Sequence, residues 1–445
     1  MLCAYNLNHI KGETYYKLRS KTKFHIKDVL VNYWDSFVST FPNLKIRDVV
    51  HEEVEKVIKC RTIELGYTYY ECKHCHNYSI VPHTCKSRFC SSCGNKYLQD
   101  RLINSKSKLL KTHHRHIVFT IPKILRRYFL QNRELLDLLY DSVNETITWL
   151  FNPKSYQNRV NKQKPKERAK KIIRVNKDSC LVPGYICVLH TYGRDLKWNP
   201  HIHMLISEGG LTNSSMKFKS IKHFNYESLR KTFQKILLDK LYNHFGSSFY
   251  KIKCELYKKL NSGFYVYAHK KQFTDIKKGI EYVLRYSSKP AMAESRITSI
   301  DYKNDTITYW YDDHKTNKRI IVTEHPFEFI AKLIRHIPDR NFKMIRYYGI
   351  YAAKNHKYQS YINKMFKLSE IREFKANRDW RNMLISTFKF DPLVCDLCGH
   401  MMKIKLTCIP IYGKENKWHE IKYSEPEEFK QKNWEHFTKY CPTRY

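Results

Sequence analysis

The chain has 445 residues, of which 81 are lysine or arginine and 42 are aspartate or glutamate, so its formal net charge is +39. This length predicts two or three domains, and a hydrophobic content of 42 % excludes a chain that is disordered throughout. No stretch approaches the roughly 18 uninterrupted apolar residues of a membrane span. The N-terminal residues lack the apolar run of a secretory signal. We therefore expect a cytoplasmic protein.

So large a positive charge predicts a polyanionic partner, because self-repulsion alone would destabilise the compact state. Nucleic acid is the first candidate, and an anionic membrane surface is the second. The basic residues are interleaved with 34 tyrosines and 23 phenylalanines. This combination suits a groove in which side chains follow phosphates while rings stack on bases. We therefore expect nucleic acid, and not a membrane, as the partner.

The first part of the chain is predicted to contain helices and a turn-rich module. Residues 1–58 have loosely helical apolar spacing, and residues 60–95 are rich in turns. A basic helix is predicted over residues 97–111. A strand is predicted over 116–122, and Pro122 would end it. Helical periodicity then extends over residues 124–151.

The second part of the chain begins with a basic segment. Residues 153–178 hold ten lysines and arginines and two acidic residues, which predicts a loop or an exposed basic arm. Two strands are predicted beyond it, over 184–190 and 200–206. The remaining predicted elements are a helix over 226–258, a strand over 263–269, a helix over 275–288 and a hairpin over 295–325 with its turn at Asn304-Asp305.

The cysteines are concentrated in the turn-rich module. Cys72 and Cys75 form one Cys-x2-Cys pair, and Cys90 and Cys93 form a second. Each such pair turns the chain so that two thiolates point at one tetrahedral Zn²⁺, and two pairs complete its four ligands. Without a secretory signal, clustered cysteines indicate metal ligands rather than disulfides. The spacing predicts a structural zinc site.

Further cysteines are candidates for additional zinc ligands. Cys60, His83 and Cys85 lie in the same region, where Cys85 could replace a member of the pairs or help to form a second site. Cys395 and Cys398 repeat half of the pattern near the C-terminus, but the sequence does not identify their partner pair. Distant candidates for that role are Cys408 and Cys441.

A histidine pair is the candidate for a second kind of metal site. His201 and His203 are two apart on a predicted strand and therefore face the same side. If the hairpin is centred between residues 195 and 196, His190 lies opposite His201 and shares its face. Three protein ligands leave coordination positions open, as a catalytic metal requires. The alternative is that these histidines pack in the sheet or contact nucleic acid.

Two tyrosines on the helix predicted before Pro290 are candidate nucleophiles. Tyr282 and Tyr286 are four apart and share a stripe of that helix, which Gly279 keeps open. Near a metal that binds phosphate oxygens, a phenol could attack a phosphodiester to give a 5′-phosphotyrosine and a free 3′-hydroxyl. With 34 tyrosines in the chain, a chance pair is the alternative.

Five segments of the sequence carry a family resemblance. The sequence resembles the His-hydrophobic-His (HUH) transposases of rolling-circle insertion sequences, the insertion-sequence-91 group, over roughly residues 60–355 with the motifs in the same order. The segments are CKHCHNYSIVPHTCKSRFCSSC, HRHIVFTIPKIL, GYICVLHTYGRDLKWNPHIHMLISEGGL, YVLRYSSKPAMAESRI and RYYGIYAAK.

The resemblance implies an α+β fold in which a palm of antiparallel sheet flanked by helices follows a small zinc-binding module. It implies a single-strand DNA endonuclease and strand transferase that uses Mg²⁺ or Mn²⁺ in addition to structural Zn²⁺. By position, His201 and His203 are the metal pair and Tyr282 and Tyr286 are the nucleophiles. His190 as third ligand rests on the hairpin register, with His116 as the reserve.

The implied protein is a transposase of the prokaryotic cytosol or nucleoid that acts on single-stranded transposon ends and target DNA, with host replication factors as candidate partners. The predicted domains are a helical and zinc-binding DNA-binding domain over 1–110, a catalytic domain over 111–360 and a C-terminal region with a Cys-x2-Cys pair over 361–445. The alternatives are a rolling-circle replication initiator and a non-catalytic zinc-dependent nucleic-acid-binding protein.

Overall fold

The structure is a computed structural model that divides into two compact units. We call residues up to Gln99, residues 289–342 and residues from 378 onward the cysteine unit, and residues 100–288 and 343–377 the histidine unit. The described residues are 23–106, 109–151, 181–212, 215–221, 224–268, 279, 281, 291–313, 316–365, 379, 381–382, 385, 391, 393–411 and 418–423.

The described residues form helices and strands that alternate along the chain. The helices are α1 (Ile26–Thr40), α2 (Asp48–Ile58), α3 (Ser91–Lys106), α4 (Lys123–Gln131), α5 (Leu135–Leu150), α6 (Tyr226–Phe245), α7 (Tyr250–Lys259), α8 (Pro326–Ile334) and α9 (His356–Asn363). The strands are β1 (Tyr67–Cys72), β2 (Tyr78–Pro82), β3 (His114–Thr120), β4 (Leu181–Val182), β5 (Gly184–Tyr192), β6 (Trp198–Ser207), β7 (Gly209–Thr212), β8 (Phe218–Ser220), β9 (Val266–Ala268), β10 (Ile297–Asp301), β11 (Thr306–Asp312), β12 (Arg319–Glu324), β13 (Ile345–Gly349), β14 (Met402–Pro410) and β15 (Trp418–Lys422).

The cysteine unit contains two antiparallel sheets. In the first, the strand order is β15-β14-β1-β2, so a strand from near the C-terminus lies beside β1. The second has the order β10-β11-β12 and packs on α8, where the rings of Tyr309 and Phe329 lie 5.5 Å apart. Phe37 of α1 contacts Phe327 at 5.8 Å between ring centroids. Buried aromatic rings therefore hold the helices to this second sheet.

The histidine unit is built on a five-stranded antiparallel sheet with the order β13-β5-β6-β3-β9. Phe119, Leu189 and Ile202 are fully buried in this sheet. Register places Phe119 and Leu189 on either side of Ile202, so all three share one face. Phe233 of α6 packs edge-on against Phe119, with ring centroids 5.1 Å apart. Tyr140 of α5 donates a hydrogen bond to the Met344 carbonyl just before β13. One face of the sheet therefore packs on helices, and the other carries the histidines.

The predicted fold class is confirmed, since the described chain combines antiparallel sheets with flanking helices and an N-terminal cysteine cluster. The predicted strands over 184–190 and 200–206 are β5 and β6, each slightly longer than predicted. The predicted hairpin over 295–325 gains a third strand, because β12 pairs along the whole of β11. The predicted basic arm over 153–178 lies outside the described residues.

Two predicted helices are each divided. The helix predicted over 226–258 is α6 and α7, which a 3-10 turn at Gly246–Phe249 separates. The periodicity over residues 124–151 predicts a continuous helix, but α4 ends at Gln131 and α5 begins at Leu135. Asn132 adopts an extended conformation, with φ −122° and ψ 100°, and its side-chain oxygen accepts a hydrogen bond from the Glu134 N–H. This local alternative to the helical hydrogen bond is the reason that asparagine interrupts helices.

The compact units differ from the three successive domains that the sequence predicts. Strand β14 from the C-terminal region pairs with β1, and residues 289–342 belong to the cysteine unit although they lie within the predicted catalytic segment 111–360. Long-range strand pairing of this kind leaves no local mark in the sequence. The division at 110 and 360 stays a prediction.

Candidate metal centres

Three histidines meet on one face of the five-stranded sheet. His190 of β5 lies directly opposite His201 of β6, which is the register that the hairpin arithmetic predicts. His203 follows two residues later and faces the same side. All three are buried: His190 is 7 % exposed, His201 is 8 % exposed and His203 is 6 % exposed. The three imidazoles form a group whose ligand atoms lie within 4.8 Å of one another.

The hydrogen bonds of His201 determine which of its nitrogens faces the group. Its Nδ1 lies 2.6 Å from the Asn199 carbonyl oxygen, which can only accept, so Nδ1 carries the hydrogen. Its Nε2 therefore presents a lone pair. That Nε2 lies 3.1 Å from His190 Nδ1 and 3.0 Å from His203 Nε2.

These spacings fit a shared cation. Two ligand atoms that are each about 2.1 Å from one ion, with an angle of 90° at the ion, lie about 3.0 Å apart. The distances from His201 Nε2 to His190 Nδ1 and to His203 Nε2 match this value. Imidazole donors suit a transition-metal ion such as Mn²⁺ better than Mg²⁺, which prefers oxygen ligands. The three residues present fit a divalent metal with open coordination positions.

Burial keeps His201 and His203 neutral. It lowers the pKa of His201 from 6.5 to about 4, and the nearby charge of Arg126 acts in the same direction. Burial also holds the pKa of His203 well below 6.5, with the charges of His201 and His116 as smaller causes. A neutral imidazole is the metal-binding form, so these pKa shifts favour ligation at neutral pH.

His116, the reserve third ligand, has a different place. It lies on β3 and its Nε2 is 2.9 Å from His203 Nδ1, the nitrogen that points away from the group. The two rings are nearly parallel, with centroids 5.1 Å apart. His116 therefore contacts a candidate ligand and is not itself a member of the group of three, a position that partners of metal-binding histidines commonly have.

Arg126 brings a positive charge near the histidines. Trp198, the first residue of β6, donates its ring N–H to the Arg126 carbonyl at 3.0 Å, which fixes α4 beside this strand. The Arg126 Nε is buried and has no hydrogen-bond partner among the residues that the structure describes. Sequence reasoning did not identify this arginine, since arginines are too common in this chain to stand out.

The cysteine unit holds two separate groups of four cysteines, which corrects the predicted zinc site. The structure does not bring the pair Cys72 and Cys75 together with the pair Cys90 and Cys93. We call the two groups the upstream group and the bridging group. The upstream group is Cys60, Cys85, Cys90 and Cys93, and the bridging group is Cys72, Cys75, Cys395 and Cys398.

The upstream group has the dimensions of a closed zinc site. Cys93 Sγ lies 3.7 Å from Cys60 Sγ and 3.5 Å from Cys85 Sγ, and Cys90 Sγ lies 3.8 Å from Cys60 Sγ. Sulfurs at the corners of a tetrahedron with Zn–S bonds of about 2.3 Å lie about 3.8 Å apart. The Cys85 N–H donates to Cys60 Sγ at 3.4 Å. The spare candidates Cys60 and Cys85 thus belong with the second predicted pair.

His83, the other spare candidate, is not in either group. Its Nε2 lies 3.0 Å from the Thr68 hydroxyl in the adjacent sheet. Burial, and then the charge of Lys86, lowers its pKa to about 4. His83 therefore packs against β1 as a neutral side chain.

Comparison with known proteins identifies the family. A family model described as "Putative transposase" matches residues 184–359, and one described as "Transposase zinc-binding domain", from the insertion-sequence-91 group, matches residues 29–121. Together, the two matches support a transposase of the insertion-sequence-91 group with an N-terminal zinc-binding domain. The "Transposase for insertion sequence element IS801" of Pseudomonas savastanoi pv. phaseolicola is 28 % identical over 373 residues, which are 80 % of this chain and 83 % of that protein.

A second relative of this transposase is the "Putative transposase y4qJ" of Sinorhizobium fredii (strain NBRC 101917 / NGR234). It is 24 % identical over 307 residues, which are 65 % of this chain and 71 % of that protein. No solved structure matches the chain.

The two matched ranges divide the candidate sites of the transposase. The zinc-binding range contains the whole upstream group but only Cys72 and Cys75 of the bridging group. The "Putative transposase" range contains the three histidines and the two candidate tyrosines. The zinc-binding domain together with a four-cysteine cluster supports structural Zn²⁺ in this protein.

Tyr282 and Tyr286, the predicted nucleophiles of the transposase, lie outside the described residues. Gly279 and Glu281, just before them, are helical.

Within the described parts of the chain, helices that are both long and apolar enough to cross a membrane are absent.

Proposed function

We propose that this transposase nicks single-stranded DNA and transfers it through a covalent 5′-phosphotyrosine intermediate, as an HUH-type endonuclease. The observation that carries the proposal is the convergence of three buried imidazoles on one face of the sheet, with nitrogens 3.0 and 3.1 Å from His201 Nε2. A group built only to stabilise the fold would not need three imidazole nitrogens at the spacing of metal ligands.

His190, His201 and His203 would hold the catalytic divalent ion, Mn²⁺ or Mg²⁺. When bound, such an ion offsets the charge of phosphate oxygens and polarises phosphorus. Burial suppresses protonation of His201 and His203, and the Asn199 carbonyl fixes the tautomer of His201. Arg126 supplies a positive charge on the same side, where it would contact a phosphate of the bound strand.

Tyr282 or Tyr286 would be the nucleophile. Its phenolic oxygen forms a bond to phosphorus, and the bond between phosphorus and the 3′-oxygen breaks. The proton lost by the phenol is balanced by the proton that the departing 3′-oxygen takes up. One phosphodiester is exchanged for another, so the bond energy is retained for rejoining. Two tyrosines would let one hold the donor end while the other acts on the target.

The zinc-binding domain would act as a DNA-binding module. We assign its zinc to the upstream group, which lies wholly inside the matched range and has tetrahedral dimensions. Four protein thiolates leave no open position, so this zinc would be structural. Arg88, beside the group with its guanidinium 5.8 Å from the Tyr97 ring centroid, offers a charge-and-ring pair for a nucleic acid.

The test is cleavage of a labelled single strand that carries a transposon end, in Mn²⁺, with denaturing gels that report covalent adduct and free product. We expect the wild-type protein to give both, and His201→Ala to lose both by at least about a hundredfold. Tyr282→Phe/Tyr286→Phe should abolish the adduct while leaving strand binding within about twofold, because binding rests on the basic surface.

Matched controls separate loss of chemistry from loss of fold. His113→Ala changes an exposed histidine that directly precedes β3 and should cleave like the wild type. Cleavage that persists in the double tyrosine variant would exclude the phosphotyrosine route. Strand binding that survives EDTA and all substitutions, with no cleavage by the wild type, would instead favour a non-catalytic nucleic-acid-binding protein.

A further inference from the structure

We propose a second zinc site that ties the C-terminal region of the chain to the N-terminal sheet. It consists of the four cysteines of the bridging group, Cys72, Cys75, Cys395 and Cys398. The zinc-binding range that the family comparison matches ends at residue 121, so it includes no ligand from the C-terminal pair. This proposal does not depend on the histidine group or on the phosphotyrosine step.

The sulfur spacing indicates a metal rather than disulfides. Cys72 Sγ lies 3.5 Å from Cys398 Sγ, and Cys75 Sγ lies 3.6 Å from Cys395 Sγ. A disulfide needs about 2.05 Å, whereas sulfurs around one tetrahedral Zn²⁺ lie about 3.8 Å apart. All four ligand atoms lie within 4.8 Å of one another. The group thus has the dimensions of the upstream group.

The backbones of the two pairs are equivalent. The Cys72 N–H donates to the Asn77 carbonyl at 2.8 Å, and at the matching position the Cys395 N–H donates to the His400 carbonyl at 2.9 Å. The residue after each pair closes the turn in the same way. His76 N–H donates to the Cys72 carbonyl at 3.0 Å, and Gly399 N–H donates to the Cys395 carbonyl at 2.9 Å.

The same equivalence extends to the sulfurs. Backbone N–H groups two and three residues further on point to the first cysteine of each pair, from His74 and Cys75 to Cys72 and from Leu397 and Cys398 to Cys395. The residue after each pair has a positive φ, 55° at His76 and 72° at Gly399. The loops that begin at Cys72 and Cys395, 323 residues apart, therefore have the same turn. This turn directs each pair of sulfurs at a common point, as a four-thiolate metal site requires.

Surrounding contacts position the two loops against each other. The Asn77 side-chain amide donates to Asp396 Oδ1 at 2.8 Å and to Cys395 Sγ at 3.6 Å. Cys72 pairs with Met402 at the end of the β1–β14 ladder, and Met402 is buried against the group. Contacts of this kind orient the side chains that bind a metal and exclude solvent from the site. The site would therefore close one end of the sheet and hold β14 in register on β1.

A neighbouring set offers a different ligand choice. His74 and His400 stack face to face with centroids 3.9 Å apart, and with Cys398 they form a smaller, more exposed group. Three ligands with two exposed histidines fit a weaker site than four sulfurs. The four-cysteine assignment predicts that replacing both histidines leaves the zinc content unchanged.

The first test counts zinc in the purified full-length protein by elemental mass spectrometry. We expect two zinc ions per chain. Cys72→Ser/Cys75→Ser and Cys395→Ser/Cys398→Ser should each lose one zinc, and the quadruple variant should also lose only one, because both pairs serve the same ion. Cys408→Ser, which changes a buried cysteine of β14 outside both groups, is the matched control and should keep two. His74→Ala/His400→Ala should also keep two.

A second test uses the unaltered protein and does not depend on the variants folding. Cys75 is exposed, so as a free thiol it would react with N-ethylmaleimide at least as fast as the half-buried Cys254 of α7. Zinc ligation predicts that Cys75 and Cys398 resist alkylation until a chelator is added, and then react together. One zinc per chain, or loss of two in the quadruple variant, would overturn the proposal, as would alkylation of Cys75 at the rate of Cys254.

Discussion

At the scale of single residues, the hairpin register is what makes the histidine group predictable. The residue numbers of any two residues that pair across a hairpin add up to the same total. His190 could therefore be placed opposite His201 from the position of the turn alone, and the structure has this pair. The same arithmetic says nothing about how neighbouring strands are ordered. His116 could therefore be named as a reserve ligand but not placed behind His203, where it contacts the far nitrogen.

His116 should act as a positioning residue for the metal. Replacing it in His116→Gln removes the ring that faces His203 Nδ1, so His203 loses its orientation. We expect Mn²⁺ affinity to fall by about 10- to 100-fold, the usual effect of removing such a partner. Titration of free Mn²⁺ by electron paramagnetic resonance measures this directly.

Two companion variants make that result specific. His113→Gln alters an exposed neighbour and should bind Mn²⁺ like the wild type, whereas His201→Ala should bind none. If His116→Gln binds Mn²⁺ with wild-type affinity, the 2.9 Å contact between His116 and His203 has no role in the site.

At the scale of elements, short-range patterns predicted strands, helices and the pairing of strands within hairpins, but not the pairing of strands that are distant in the sequence. The Cys-x2-Cys spacing correctly identified turns that collect sulfurs. Which turns meet depends on β14 pairing with β1, and a contact between residues 402–410 and 67–72 leaves no trace in local spacing. For this reason the sequence joined Cys72 and Cys75 to the nearer pair rather than to Cys395 and Cys398.

His114 should make the stability of β3 depend on pH. Its Nδ1 lies 2.8 Å from the Thr112 carbonyl, which only accepts, so Nδ1 donates and Nε2 accepts from the Tyr351 hydroxyl at 2.7 Å. Complete burial lowers the pKa of His114 from 6.5 to about 4. Below pH 6.5 the unfolded chain takes up a proton that the folded chain does not, so stability falls as pH decreases towards 4.

The difference between the pKa of 6.5 in the unfolded chain and about 4 in the folded chain corresponds to about 3 kcal/mol, lost progressively between pH 6.5 and 4. In urea unfolding at a series of pH values, His114→Gln should remove this part of the acid sensitivity, although it lowers stability at neutral pH. His113→Gln removes only a smaller cause of the low pKa of His114, so it should leave most of the pH dependence in place. An acid-sensitivity profile of His114→Gln that parallels the wild type would contradict the assignment of the proton.

At the scale of the whole molecule, charge dominates. A net charge of +39 predicted nucleic acid before any motif was considered, and membership of a transposase family agrees with DNA as the partner. Composition alone could not show that the compact units draw on separated segments of chain. That grouping follows from the pairing of β14 with β1 and from the packing of α8 on α1, two long-range contacts that the sequence does not specify locally.

Binding of single-stranded DNA should weaken steeply with salt, because neutralised phosphates release their counterions. A footprint of about six phosphates would lower the affinity roughly 300-fold between 50 and 200 mM salt. Fluorescence anisotropy with a labelled oligonucleotide, repeated at several salt concentrations, measures the slope. Affinity that is independent of salt would contradict binding through the basic surface.

If the histidine group serves a tyrosine that becomes linked to DNA, the linked residue can be identified. Tandem mass spectrometry of the peptide that carries the nucleotide, after cleavage of a single strand in Mn²⁺ and nuclease trimming, makes this measurement. We expect the nucleotide on Tyr282 or Tyr286, joined through its 5′-phosphate, and no linked peptide from His201→Ala. A cleaved strand without any linked peptide, or a nucleotide attached to another residue, would exclude this role of the tyrosines.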